Sequence, residues 1–271
     1  MKIVRYERFG LQGMVLSPPR PMDRIHHHTE VELNYIFRGG ITYLHQWKYR
    51  KVATGQLVVF WGSPPHSVVS VLPGTEMAWI TVPLPWVLQW PIPARTREAL
   101  IDGRWCFSKA CPNRYPVREW VVEINGGGSE ALMLELQACF LRLKIRGYKP
   151  PNHSTETPAG GWNKVEKMAR YMAEHFVHDI GIDEIASAAK LHPKYAMNLF
   201  RKCYGVTLHN YLERHRLAHA QRLLITTVFK IIEIAHASGF NSLSAFYNRF
   251  EKHTACSPKV FRKRHAVIGP P

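Results

Sequence analysis

The sequence predicts an α+β protein: an N-terminal β-barrel or jelly roll with accompanying helices, then an all-helical C-terminal domain. Three observations carry this reading. From Pro18 to Pro93, short β-like runs are separated by Gly and Pro turns. From Gly181 onward the chain repeats itself with apolar residues at helical spacing. Between these regions lies Tyr148 to Gly161, YKPPNHSTETPAGG, which has no apolar periodicity and the composition of a linker. The predicted boundaries are therefore residues 1–147, 148–161 and 162–271, and 271 residues with 46% hydrophobic content allow each domain a core of its own.

In the N-terminal part Val31, Leu33, Tyr35 and Phe37 alternate with other residues, Gly39-Gly40 turns the chain, residues 41–49 continue as strand, and residues 57–60 form a further run before a Pro-rich turn. His26, His28 and Glu32 share one parity, so they can lie on one strand face, with His66 closing the set from another strand. Imidazole nitrogen and carboxylate oxygen are ligands for zinc, iron, nickel or manganese. The same side chains, beside Tyr35, Trp47, Trp61 and Trp79, also supply what a sugar pocket needs: polar groups to fix hydroxyls and aromatic faces to stack on the ring. Farther on, residues 117–124 and 130–145 read as helices, the second through Leu132, Met133, Leu136, Phe140 and Leu143.

The C-terminal part contains two helix-turn-helix units. Ile182-Asp183-Glu184-Ile185-Ala186 aligns on Ile231-Ile232-Glu233-Ile234-Ala235 at an offset of 49 (231 − 182). After the turn, Asn198, Phe200, Lys202 and Tyr211 align on Asn248, Phe250, Lys252 and Phe261 at an offset of 50, so the second turn holds one more residue. Pro193 suits the first position of a helix, Gly239 suits a turn after one, and Ser242 suits an N-cap. Thr207 can cap a linking helix from Leu208 to Leu224. Such a helix, with the width of the units at its ends, brings two recognition helices near the ~34 Å pitch of B-DNA.

At Arg216, Ala220, Leu223 and Leu224, then Ile234-Ala235, Gly239-Phe240, Phe246, Phe250, Lys252, Ser257-Pro258 and Arg262, the chain resembles the arabinose-regulator (AraC) family of bacterial transcription factors. Ala255 departs from the family's usual Gly, and Asn198 and Asn248 from its frequent Arg. The resemblance implies a cytoplasmic homodimer that binds double-stranded operator DNA, responds to a small-molecule effector, a sugar, and activates a carbohydrate-utilisation operon with RNA polymerase. The residues expected to face DNA are Pro193, Lys194, Tyr195, Asn198 and Arg201 in unit one, with Ser242, Leu243, Ser244, Asn248 and Lys252 in unit two. Of these, Arg201 and Lys252 are expected at phosphates and the asparagines at bases.

The spacing His26-x-His28-x3-Glu32-x6-Gly39, followed by Gly55-x10-His66, also resembles a cupin, with Trp61 and Ser63 where cupins usually have Pro and Gly. That keeps open a metal-dependent cupin enzyme, an isomerase or dioxygenase, and a metal-responsive regulator. The enzyme reading leaves the tandem repeat unexplained, so no catalytic residue is assigned. No cofactor is expected beyond a divalent ion at this quartet.

Composition agrees. From Trp162 onward there are 17 Lys and Arg against 8 Asp and Glu, within a chain of net charge +16, which favours phosphate. Five cysteines, odd in number and without a CxxC pair, fit a reducing compartment. The apolar window at residues 78–93 contains four prolines, and no membrane span or export signal is expected.

Overall fold

The computed structural model describes residues 4–5, 10–46, 48–108, 115–145 and 161–265. Trp47 and nearly all of the expected linker, residues 148–160, lie outside the described residues.

The N-terminal region is built from β1 (Val4–Arg5), β2 (Gln12–Leu16), β3 (His26–His27), β4 (Glu30–Arg38), β5 (Gly40–His45), β6 (Lys48–Ala53), β7 (Leu57–Trp61), β8 (His66–Val71) and β9 (Glu76–Pro83), then α1 (Leu84–Gln89), α2 (Ala94–Ile101), β10 (Cys106–Phe107), α3 (Val117–Asn125), α4 (Glu130–Leu141) and β11 (Lys144–Ile145). The strands form two sheets, ordered β1-β3-β8-β5-β6 and β11-β10-β7-β4-β9-β2. Among the described residues no strand pairing joins the two sheets, so this is a two-sheet layout, and a closed ring of strands is not seen.

Strand parity divides the larger sheet between two cores. Ile36, Val58, Phe60 and Met77 face the other sheet and pack with Ile41, Tyr43, Val52 and Trp105. Val31, Leu33, Tyr35, Val59 and Trp61 face the opposite way and pack with the helices, among them Trp120 of α3 and Leu136 and Phe140 of α4. The apolar residues expected along α4, Leu132, Met133, Leu136 and Phe140, are thus core residues, and Ser129 caps the helix by accepting from Leu132 N.

The C-terminal region comprises α5 (Trp162–His175), α6 (Ile182–Ala188), α7 (Pro193–Tyr204), α8 (Leu208–Thr226), α9 (Ile231–Ala237), α10 (Leu243–Thr254) and α11 (Pro258–His265). The repeat extends to atomic detail. Glu184 accepts a hydrogen bond from Gly181 N and Glu233 one from Lys230 N, each at 2.6 Å, closing the starts of α6 and α9 alike. Leu191 N donates to Ala186 O and Phe240 N to Ala235 O, each at 3.0 Å, so both inter-helix turns close the same way. Thr207 caps α8 and Ser242 caps α10. At 19 residues α8 is about 28 Å long, at roughly 1.5 Å per residue.

The second unit has its own core, Leu217, Ala220, Leu224, Ile234, Phe246 and Phe250. The first does not stand apart in this way. Met168, Met172, Phe200, Tyr204 and Tyr211 belong to one apolar cluster that runs on into the outer face of the larger sheet. The second unit thus has a separate core, while the first shares an apolar cluster with the N-terminal region.

Ala255 ends α10 in the left-handed region with φ 57°, where the equivalent residue of unit one, fifty positions earlier, is Gly205 with φ 69°. A β-carbon in that conformation costs roughly 1–2 kcal/mol. Ala255→Gly is expected to stabilise the protein by roughly 0.5–1 kcal/mol in urea unfolding, part of the relief being offset by the entropy of glycine. A loss of stability would show that the methyl group's contacts outweigh the strain.

His215 and His219 of α8 are buried against Phe176. Burial pushes His215 down to about 3, and burial reinforced by Arg222 pushes His219 down to about 4. Folded-state values below the unfolded ~6.5 mean that both contribute stability above that pH and lose it as pH falls toward 4. The melting temperature should therefore drop from pH 6.5 to 4.5, and drop less in His215→Phe. Equal slopes would assign the acid lability elsewhere.

Candidate functional site

Two exposed surfaces and one buried cluster concern function. On α7, Lys194, Tyr195, Asn198 and Arg201 are exposed and Pro193 half-buried, while Ala196, Phe200 and Tyr204 point into the core. On α10, Leu243, Ser244, Asn248 and Lys252 are exposed, as is Ser242 just before it, with Phe246 and Phe250 inward. The expected DNA-facing residues thus share the outer faces of the two second helices. Ser242 Oγ is already engaged as the N-cap of α10, accepting from Ala245 N at 3.3 Å, so its hydroxyl is less free for a base. Sequence reasoning missed Met197 and Arg249, which share these faces. Met197 is 43% exposed, and Arg249 pairs with Glu213 of α8 at 3.3 Å. Helical spacing is the signal that would have found them, since Met197 lies three residues after Lys194 and Arg249 three before Lys252.

The buried cluster gathers His26, His28, Glu32 and His66, with one ligand atom from each all within 4.8 Å of one another. They do not share one strand face. His26 is on β3 opposite His66 on β8, Glu32 is on β4, and His28 lies in the turn between β3 and β4, anchored by its N–H to Gly62 O. The two-residue break at 28–29 defeats a simple parity count, yet the turn delivers the same convergence.

Glu32 Oε1 lies 2.8 Å from His28 Nε2 and 3.3 Å from His66 Nε2, while Asn34 Nδ2 donates to Glu32 Oε2 at 2.9 Å. His28 Nδ1 faces Glu30 Oε2 at 3.3 Å, and Thr29 Oγ1 donates to Glu30 at 2.8 Å. His66 Nδ1 lies 2.9 Å from Pro64 O, an acceptor, so that nitrogen carries the proton and donates. Burial lowers the His28 pKa, but hydrogen bonds to Glu30 and Glu32 outweigh it and raise it to about 9. Burial favours the protonated form of Glu32, yet His66 and His28 hold its carboxyl well below the usual range. Burial, aided by His66, pushes His26 down to about 2.

The aromatic residues near this cluster are not the expected ones. Tyr35 and Trp61 sit on the helix-facing side of the larger sheet, because their parity is opposite to that of Glu32 and Phe60; the structure does not bring them to the cluster. Trp79 packs on the interior side. The rings beside the cluster are Phe60, 5.2 Å from His66, and Trp105, stacked on Phe60 at 4.8 Å, with His45 and Tyr43 against Trp105. Register would have identified Phe60, which pairs with Glu32; Trp105 comes from a loop, where no periodicity marks it.

The cluster lies beside the seam with the C-terminal region. The His27 ring packs on Tyr204 at 4.4 Å, and Ser63 Oγ is hydrogen-bonded to the Tyr204 hydroxyl and lies 3.5 Å from that of Tyr211. Trp86 Nε1 donates to Ala218 O at 2.5 Å, and Arg170 pairs with Asp102. A small cavity in this seam is lined by His27, His28, Thr29, Tyr204, Tyr211 and Arg214.

Residues 185–264 match the model of a helix-turn-helix domain. The melibiose operon regulatory protein of Escherichia coli (strain K12) is 27% identical over 270 residues, covering 95% of this chain and 89% of that protein. Regulatory protein PocR of Salmonella typhimurium is 29% identical over 113 residues, 42% of this chain and 37% of that protein. Among solved structures, the C-terminal domain of AraT, a response regulator from Geobacillus stearothermophilus, is 23% identical with a TM-score of 0.39, over 42% of this chain and 94% of that one. Among the described residues no helix is long and apolar enough to cross a membrane.

Proposed function

Because this chain belongs to the AraC family of DNA-binding transcription regulators, we propose that it controls a carbohydrate-utilisation operon as a homodimer whose N-terminal region receives a sugar. The observation that carries the DNA-binding half is the pair of equivalent exposed faces on α7 and α10, the second helices of the two repeated units. The sugar half is supported by similarity over 95% of the chain to a melibiose operon regulator and by Phe60, Trp105, His45 and Asn34 around the interior cluster. Activation rather than repression, RNA polymerase as partner and a cytoplasmic location follow from the same family reading. The chain acts as a regulator and not as an enzyme, since the tandem repeat then has a use. Val122 of α3 and Leu134 and Leu141 of α4 are exposed apolar residues, and they form the dimer face in this reading.

The asparagines separate base contacts from phosphate contacts. An Asn paired with adenine in bidentate fashion contributes about 1–3 kcal/mol of discrimination. Asn248→Ala should therefore weaken operator binding about 5- to 150-fold and relax the preference at one base pair. Arg201→Ala should instead weaken all sequences alike and lower the salt slope by roughly one. Anisotropy titrations over a salt series read both. An unchanged affinity in Asn248→Ala, with a changed base preference in Arg201→Ala, would overturn these roles. For the effector, a sugar panel including α-galactosides should raise the melting temperature of the full chain, since a ligand that binds only the folded state stabilises it. No shift across the panel would remove the sugar.

A further inference from the structure

We propose that His26, His28, Glu32 and His66 hold a divalent first-row transition metal, and that this ion sets how firmly the N-terminal region grips the first helix-turn-helix unit through Ser63 and Tyr204. The proposal goes beyond the sugar reading and does not depend on it.

The donor set has more than the right residue types. Pro64 O lies 2.9 Å from His66 Nδ1, which leaves Nε2, 3.3 Å from Glu32 Oε1, as the nitrogen aimed into the cluster. Each of three donors is also held from behind, as ligands to a bound metal are. Glu30 Oε2 lies behind His28 Nδ1, with Thr29 fixing Glu30; Pro64 O lies behind His66; and Asn34 Nδ2 holds the second oxygen of Glu32. Three imidazoles and one carboxylate favour zinc or nickel over magnesium or calcium.

Ligands at about 2.0–2.1 Å around a tetrahedral ion lie about 3.3 Å from one another. The present separations run from 2.8 Å between His28 and Glu32 up to a limit of 4.8 Å across the set, so binding widens the shortest edge and tightens the longest ones. The segments that must adjust are the β3–β4 turn and residues 62–66, and these two are locked together. A β-carbon on Gly62 would lie 2.0 Å from the His28 ring, so ring and backbone are in direct contact. Both segments reach the seam, through His27 against the Tyr204 ring and Ser63 against its hydroxyl. Tyr204 is the last residue of α7, the helix that carries Asn198 and Arg201. An ion that fixes the two segments thereby fixes the end of a recognition helix.

The test uses the full chain, stripped with EDTA, reloaded with zinc or nickel and desalted. Metal per chain, melting temperature and amide exchange over residues 200–214 are measured. About one ion per chain, a higher melting temperature and slower exchange in 200–214 are expected. Glu32→Gln and His66→Ala should lose the ion, and Glu30→Gln, which keeps all four ligands, should weaken it about tenfold; this last variant keeps the test open if the others misfold. Tyr204→Phe should keep the ion yet lose its effect on exchange. The site is overturned if no ion survives desalting, or if the Glu32, His66 and Glu30 variants hold it as the parent does, which would place it on surface histidines. The coupling is overturned if Tyr204→Phe still shows metal-dependent slowing. Sugar-induced melting shifts in stripped protein report separately on the sugar reading.

Discussion

Gly239→Ala should destabilise the C-terminal region by about 3 kcal/mol, combining a left-handed β-carbon at roughly 1–2 kcal/mol with overpacking at roughly 1–3 kcal/mol. Conformation alone is the smaller part. The residue equivalent to Gly239 in the first unit, 49 positions earlier, is Lys190, which adopts φ 55° with a full side chain. What differs is the space. A β-carbon on Gly239 would lie 2.7 Å from Phe176 O and 2.9 Å from Arg216 Nε. Arg216 sits there because it bonds Phe176 O and His178 O, each at 2.8 Å, binding the end of α5 to the linking helix α8. The alanine methyl would therefore displace the charged hydrogen bonds that join α5 to α8. Urea unfolding of the full chain should show the loss in a transition that includes the second unit, with Lys190→Gly nearly neutral or stabilising as its control. A Gly239→Ala variant within 1 kcal/mol of the parent would mean that this junction yields without cost.

That contrast also shows what sequence could convey. The repeat, its change of offset from 49 to 50 and the caps at Thr207 and Ser242 were legible because helices impose local, periodic rules on neighbouring residues. The convergence of His26, His28, Glu32 and His66 was legible as a motif, although the turn at residues 28–29 gives it a different construction from a single strand face. Which aromatic residues stand beside it was not. Tyr35 and Trp61 are of the right type but wrong parity, and parity relative to Glu32 becomes decisive only once the pairing of β4 with β7 fixes Phe60 opposite Glu32. The seam left no local trace at all. Ser63, Tyr204 and Tyr211 are separated by 141 and 148 positions, and nothing in the pattern around Ser63 marks it as a partner for a tyrosine. Long-range contacts between two units are set by shape, which periodicity does not encode.

The second large effect concerns truncation. The fragment 161–271 should fold, because Leu217, Ala220, Leu224, Ile234, Phe246 and Phe250 form a core within it, and α5, α6 and α7 pack on one another, with α5 and α7 also against α8. It should bind a two-site operator about 10²- to 10⁴-fold more weakly than the full chain, because in the proposed homodimer the joining of two DNA-binding domains makes the second contact effectively intramolecular. On a single half-site the sign can reverse. The fragment is free of the hydrogen bonds from Ser63 to Tyr204 and from Trp86 to Ala218, so α7 no longer carries the N-terminal region. The comparison of one-site with two-site DNA therefore separates two contributions that a single affinity would merge: dimerisation acts only on the two-site DNA, and the seam acts on both. If the fragment matches the full chain on two-site DNA, the dimer is absent or does not span the sites. If it also matches on one site, the seam carries no influence on DNA binding, and the proposed effector signal would have to reach DNA by another route.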